Sequence, residues 1–178
     1  MRLVVLDRDG TINRDSPDYI KSASEWEALP GSAEAIARLN AAGYTVAVAS
    51  NQSGLARGLF DDEALAAIHE KMRDTVRQAG GKIDTIVWCP HHPDDACECR
   101  KPRPGLLHRL ADHYAIELTG VPVVGDSPRD LEAARSVGAR PILVRTGNGA
   151  RTEASGYAGD AEICDDLSAA ADAIIGEE

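Results

Sequence analysis

Leu3-Val4-Val5-Leu6-Asp7-Arg8-Asp9-Gly10-Thr11 is the stretch on which the reading of the fold turns: an unbroken apolar run ending in two carboxylates and a glycine. Strands buried on both faces read this way, as in a parallel sheet covered by helices. Four more such runs follow at residues 45–49, 85–88, 121–124 and 141–144. Between them lie segments with helical spacing and readable ends. Ser32 is positioned to cap a helix that runs to about Ala42 and closes at Gly43. Asp61 or Asp62 can cap the next, whose Leu65, Ile68, Met72 and Val76 share one face. A third apolar face, Leu106, Leu107, Leu110, Ala111 and Tyr114, begins after Pro104. Ser127 as cap and Pro128 at the first helical position open a fourth helix, with Leu131, Ala134 and Val137 inward and Gly138 at its end. A last helix covers about 167–175. This alternation predicts an α/β fold with an open, doubly wound, mainly parallel sheet. Residues 10–30 and the Cys/His/Pro-rich stretch 89–105 stand outside it.

The length, 178 residues, suits one domain spanning 1–178, and no linker, repeat or low-complexity tract divides it. The formal net charge is −10 and no run of Lys or Arg occurs, which argues against nucleic acid and anionic membrane as partners. An anionic substrate must then be held by a metal and a few local cations. The acidic end, Glu177-Glu178, reads as an aid to solubility. No signal peptide or membrane span is legible, so a cytoplasmic location is expected, and the lack of a long apolar stripe suggests a monomer.

In sheets of this class ligands bind beyond the carboxyl ends of the strands, so the residues there should be the chemical ones. The first strand ends in Asp7-Arg8-Asp9-Gly10-Thr11, the second in Ser50-Asn51-Gln52-Ser53-Gly54, and the fourth in Gly125-Asp126-Ser127. Side chains alternate along extended backbone, so the carboxylates of Asp7 and Asp9 can share a direction while Arg8 turns aside. Carboxylates from separate strands with no thiolate among them suit a hard cation such as Mg²⁺. Lys101 gains interest from its place in Arg100-Lys101-Pro102, just after a cysteine cluster and before a helix.

That cluster, Cys89-Pro90-His91-His92 followed by Cys97-Glu98-Cys99, offers three thiolates and an imidazole from His91 or His92. The set matches a closed, structural tetrahedral Zn²⁺ site, and a disulfide between cysteines two apart would be strained. Such a zinc would fold a coreless loop and fix Arg100 and Lys101 beyond it. Cys164 stands alone and reads as a buried thiol; His69, His108 and His113 fall on helices as packing or solvated residues.

Asp7-x-Asp9-Gly10-Thr11 after an apolar strand, then Ser50, Lys101 and Gly125-Asp126-x-x-x-Asp130 in that order, resemble the four motifs of the haloacid dehalogenase superfamily of phosphatases over nearly the whole chain. The resemblance implies a phosphomonoester hydrolase in which Asp7 attacks phosphorus and Asp9 serves as acid and base. It implies Mg²⁺ held by Asp7, the backbone carbonyl of Asp9, and Asp126, with Asp130 supporting the metal from behind, capping its helix or standing solvated on it. Ser50 and the backbone at Asn51 would bind the phosphoryl oxygens and Lys101 would neutralise them.

Two branches of the superfamily join these motifs to a Cys-x-His…Cys-x-Cys loop, which favours His91 as the nitrogen ligand. One comprises the D-glycero-D-manno-heptose 1,7-bisphosphate 7-phosphatases of ADP-heptose and lipopolysaccharide-core synthesis; the other, the histidinol-phosphate phosphatases. Asn51-Gln52-Ser53-Gly54-Leu55-Ala56-Arg57-Gly58 resembles the first, as does Thr11-Ile12-Asn13-x-Asp15 followed by Tyr19. A bisphosphate carries a second anion that Arg57, assisted by Arg100, is suited to grip. Thr11, Asp15, Tyr19, Gln52 and Ser53 are the remaining substrate-side candidates. Two features depart from the heptose pattern: the short loop, and Ser127 where some of those enzymes carry lysine. No insertion is large enough for a cap domain, so residues 10–30 and the cysteine loop must shape the mouth of the site.

Overall fold

The computed structural model describes residues 1–177; Glu178, the last of the acidic tail, lies outside them. Six strands form the sheet: β1 (Arg2–Leu6), β2 (Tyr44–Asn51), β3 (Thr85–Cys89), β4 (Pro122–Gly125), β5 (Arg140–Val144) and β6 (Glu162–Cys164). The helices are α1 (Ser32–Ala41), α2 (Asp62–Gln78), α3 (Gly105–Tyr114), α4 (Pro128–Ser136), α5 (Gly149–Ala154) and α6 (Leu167–Gly176). The sheet order is β3-β2-β1-β4-β5-β6 and every pairing is parallel. The first five strands and five of the helices stand where the apolar runs put them. The sixth strand and the short α5 were not anticipated.

Period-two alternation divides the sheet between two layers. Val4, Leu6, Val46, Val48, Val124, Ile142 and Val144 pack beneath α1, α2 and α6. Leu3, Val5, Ala47, Ala49 and Val123 face α3 and α4 on the other side. Cys164 is buried in the first layer, and among the described residues no helix is long and apolar enough to cross a membrane.

The helix starts follow the expected logic with one correction. Asp61 caps α2 by accepting from the Ala64 N–H, and Ser127-Pro128 opens α4. Val137 lies just past the end of α4, at its C-terminal cap. Ser32 does not cap α1. It is the first helical residue, and its hydroxyl donates 2.7 Å to the Ile12 carbonyl. Gly31, at φ +76°, holds the cap position in a left-handed conformation that glycine adopts without strain.

Residues 10–30 leave the sheet and return to it. Leu29 N–H donates to Ile12 O, and Arg14 N–H to Glu27 O, each at 2.9 Å, so the excursion is stitched at its neck. From below, Lys71 of α2 donates to the carbonyls of Ala23 (2.6 Å) and Trp26 (2.7 Å). Ile20 and Trp26 are buried in the core under the same loop.

Candidate active site

Strand order reverses between β1 and β4, which diverge after their carboxyl ends and open a crevice. A polar cleft of about 210 Å³ lies there, floored by Asp7, Asp9, Lys101, Asp126 and Asp130. Asp15, Ser16, Tyr19 and Ile20 of the excursion form one wall, Asn51–Ser53 and Arg100 another. Among the described residues no separate cap covers it; the mouth is built largely from the two segments that broke the alternation.

Lys101 organises the floor. Its buried ammonium donates to Asp7 Oδ1 (2.8 Å), Asp130 Oδ1 (2.7 Å) and the Ala49 carbonyl (2.7 Å), which uses all three of its protons. The backbone is fixed as well: Lys101 N–H donates to Asn51 Oδ1 at 3.0 Å and the Asn51 amide donates to Lys101 O at 3.1 Å. Asp130 Oδ2 accepts from the N–H groups of Asp126 and Ser127 and from the Ser127 hydroxyl. Asp130 therefore takes the capping role weighed for it and also holds Lys101, a contact the sequence reading did not foresee.

Oxygens of Asp7, Asp126 and Asp130 all lie within 4.8 Å of one another. Burial, then the charge of Asp130, push the Asp7 carboxyl up to about 7 in spite of Lys101. Burial, then the charges of Asp7 and Asp130, raise Asp126 to about 8. One ammonium does not neutralise the acids clustered around it, so burial and their mutual charge keep Asp7 and Asp126 raised. With Asp130 engaged by four donors, Asp7 and Asp126 remain as oxygen ligands for a hard cation, and the donor set fits Mg²⁺. Packing aims Asp126: its Oδ2 accepts from Asn148 N–H at 2.8 Å. A Cβ added at Gly10 or Gly147 would collide with that same oxygen.

Arg8 does not turn aside. It is fully buried and grips Asp9 with both edges of its guanidinium, Nε to Oδ1 at 2.9 Å and Nη2 to Oδ2 at 3.1 Å. Asn13 and Gln52 also donate to Asp9, at 2.9 and 3.1 Å. Burial alone would raise the Asp9 pKa, but the Arg8 charge and these donors together hold it below the usual carboxylate range. Ser50 is buried behind this group and accepts from Gln52 at 2.7 Å.

The remaining candidates divide. Asp15, Tyr19, Asn51, Gln52, Ser53 and Arg100 line the cleft; Thr11 does not, being completely buried with its hydroxyl unpartnered. Arg57 stands exposed at the rim, its guanidinium 5.8 Å from the centre of the Tyr19 ring. Burial and the neighbouring Arg129 and Arg57 charges lower the Arg100 pKa, so three guanidinium groups approach one another at the mouth. None of the three is drawn into an ion pair among the described residues. Arg129 and Asn148 had no role in the sequence reading. The only signal for Asn148 was the Thr146-Gly147-Asn148-Gly149 turn beyond β5; its backbone N–H donates to Asp126 at 2.8 Å, and its side-chain amide reaches Asp15 at 3.1 Å and Asp126 at 3.5 Å.

Below the cleft, Cys89 Sγ lies 3.5 Å from His91 Nδ1 and 3.6 Å from Cys97 Sγ. Cys99 Sγ lies 3.2 Å from the same nitrogen and 3.8 Å from Cys97 Sγ. A disulfide needs sulfurs about 2.05 Å apart. A tetrahedron around Zn²⁺, with bonds of about 2.3 Å to sulfur and about 2.0–2.1 Å to nitrogen, has edges of about 3.5–3.8 Å; three of the separations fall in that range and the Cys99–His91 one is somewhat shorter, so the four atoms stand close to such a tetrahedron. His92 points elsewhere, its Nδ1 accepting from Asp94 N–H.

Comparison with known proteins agrees with this geometry. Residues 98–170 match a family model described as HAD-hydrolase-like. A D-glycero-β-D-manno-heptose-1,7-bisphosphate 7-phosphatase of Pseudomonas aeruginosa is 53% identical over 97% of both chains. The enzyme of that name from Bordetella bronchiseptica is 53% identical over 99% of both. A crystal structure of the Bordetella D,D-heptose 1,7-bisphosphate phosphatase, complexed with magnesium and phosphate, superposes over 100% of both chains with a TM-score of 0.97. The corresponding Burkholderia thailandensis phosphatase superposes with a TM-score of 0.78 at 45% identity, covering 98% of this chain and 99% of the other.

Proposed function

The chain belongs to the D-glycero-β-D-manno-heptose-1,7-bisphosphate 7-phosphatase family, and from that premise we propose that it removes the 7-phosphate of the heptose bisphosphate, in the cytoplasm and as a monomer, with Asp7 as nucleophile. The observation that carries the reading is the cleft floor: Asp7 and Asp126 are buried acids short of positive charge, beside a lysine already bound to Asp7.

Asp7, Asp126 and the backbone carbonyl of Asp9 would hold Mg²⁺, which supplies the positive charge that lets a carboxylate approach a phosphate dianion. An Asp7 oxygen attacks phosphorus, and the bond from phosphorus to the sugar oxygen breaks. For that step Asp9 must first take up a proton from solvent, which the charge of the phosphate dianion arriving beside it favours against the pull of Arg8, and it passes this proton to the departing alkoxide. It then takes a proton from the water that attacks the aspartyl phosphate, releasing inorganic phosphate and restoring Asp7. The ionised form in which Arg8 holds Asp9 is the one this second step requires. Lys101 and the backbone at Asn51 face the transferring phosphoryl group. Ser50 accepts from Gln52 and so keeps its own proton to donate. Asp15 and Tyr19 contact the sugar from the wall, and Arg57, Arg100 and Arg129 receive the second phosphate.

The test is parallel kinetics on heptose 1,7-bisphosphate and histidinol phosphate with Mg²⁺. A large kcat/KM advantage for the bisphosphate is expected; an advantage for histidinol phosphate overturns the assignment. Within the same experiment, Arg57→Ala should raise KM for the bisphosphate about tenfold, the scale of one lost charge-assisted contact. A monophosphate should be nearly unaffected, and equal losses on both substrates would make Arg57 structural.

We assign the Cys89, His91, Cys97 and Cys99 cluster to a structural zinc. Protein purified without added metal should contain about one zinc per chain, as a closed four-ligand site requires. Its removal by a strong chelator should lower the melting temperature and abolish activity even with Mg²⁺ restored, because Arg100 and Lys101 follow the last ligand directly. Metal-free protein with unchanged melting and turnover would refute this.

A further inference from the structure

The Asp9 carboxylate accepts four hydrogen bonds, and its constraint reaches back to a helix that the chemistry leaves unused. Arg8, which grips both oxygens of Asp9, is itself held from behind: its Nη1 lies 3.4 Å from Nε2 of His69 on α2. Guanidinium can only donate, so Nε2 accepts and the imidazole proton sits on Nδ1. The ring is buried and tilted against Trp88, with centroids 5.3 Å apart, which fixes its plane. Burial, then the Arg8 and Arg73 charges, depress its pKa to about 3, so it stays neutral and keeps the lone pair available. His108 and His113 are exposed on α3 and reach no part of this group.

The backbone does the complementary job. The N–H groups of Thr11 (3.2 Å), Ile12 (2.8 Å) and Asn13 (3.3 Å) all converge on the carbonyl of Arg8, winding the loop around the residue whose side chain carries Asp9. Without the His69 contact, the Arg8 fork would keep its charge but lose the anchor that sets its angle.

The geometry points to His69 as a positioning residue of the reaction: through Arg8 it holds the Asp9 carboxyl at the angle from which the proton passes to the departing sugar oxygen. This rests on the reading of Asp9 given above. A displacement of the order of 1 Å in such a group costs about 10²-fold.

The experiment uses leaving groups of different basicity. kcat/KM reports the steps through phosphorylation of Asp7. A sugar alkoxide needs a proton in that step, whereas p-nitrophenolate leaves without one. For His69→Leu we expect kcat/KM on heptose 1,7-bisphosphate to fall about 10–100-fold, while p-nitrophenyl phosphate changes by no more than about threefold. His69→Gln, which offers an acceptor in the same place, should recover most of the loss. Should His69→Leu fail to fold, His69→Asn replaces it, being polar but too short to reach the guanidinium, and the same selective loss is expected. Equal losses on both substrates, or no loss on the sugar, overturn the proposal. Asp9→Asn is measured alongside. If it is selective for the sugar and the His69 variants are not, only the role of His69 falls. If it affects both substrates equally, the proton-donor reading of Asp9 falls and takes this one with it.

Discussion

Asp7→Asn should abolish phosphate release, lowering kcat by at least about 10⁴-fold, the scale on which loss of a covalent nucleophile is felt. The amide keeps the shape of the carboxylate but offers phosphorus no nucleophilic oxygen. The fold should survive, because Lys101 retains its bonds to Asp130 and to the Ala49 carbonyl. Activity and structure therefore separate in this variant. The measurement is single-turnover phosphate release with saturating Mg²⁺, alongside a thermal melt. Turnover near wild type in a folded Asp7→Asn protein would place the nucleophile elsewhere and remove the covalent intermediate from the mechanism.

Lys101→Met is expected to damage both. The lysine side chain is only 6% exposed and stands between Asp7 and Asp130, whose side chains are 13% and 3% exposed. Methionine fills much of the same volume but leaves two buried acids facing each other without a cation. Removing one partner from a buried ionic group costs about 3–5 kcal/mol, to be read from urea melts in metal-free buffer. Asp7, already pushed up by burial, would then take up a proton more readily, and a protonated Asp7 cannot attack. With the phosphoryl charge also unneutralised, kcat/KM should drop by about 10³-fold or more. Stability within about 1 kcal/mol of wild type, below the cost of breaking a buried pair, would mean that the ammonium is not the keystone its three short bonds make it.

The parts of this molecule that the sequence made legible are those where one physical requirement dominates. Val4-Val5-Leu6 cannot be anything but interior, and carboxylates placed directly after a buried strand must face the crevice. Cysteines at 89, 97 and 99 with His91 demand a common partner, and four atoms meet. Where two requirements compete, the sequence reading went astray. Ser32 has the chemistry of a cap, but a neighbouring glycine took the turn and freed the hydroxyl for the excursion loop. Arg8 obeys strand alternation in principle, yet the strand stops at Leu6 and the long side chain folds back to its neighbour's charge. Glu162-Ile163-Cys164 offered too short an apolar signal to register as a strand. It forms because β5 has an edge to be paired. Asn148 could not be found, since its shortest bond to Asp126 is made by backbone and its side chain meets Asp15 and Asp126 only once a distant turn is folded beside them.

The stitched neck of the excursion loop and the lysine tether beneath it have a kinetic meaning. A flap that closes over each substrate must be ordered anew at every encounter, and that entropy is subtracted from binding. Here the ordering is completed once, when the chain folds, so the rampart beside the cleft is a standing one. Discrimination among sugars would then rest on the outline of that rampart and on the reach of the arginines.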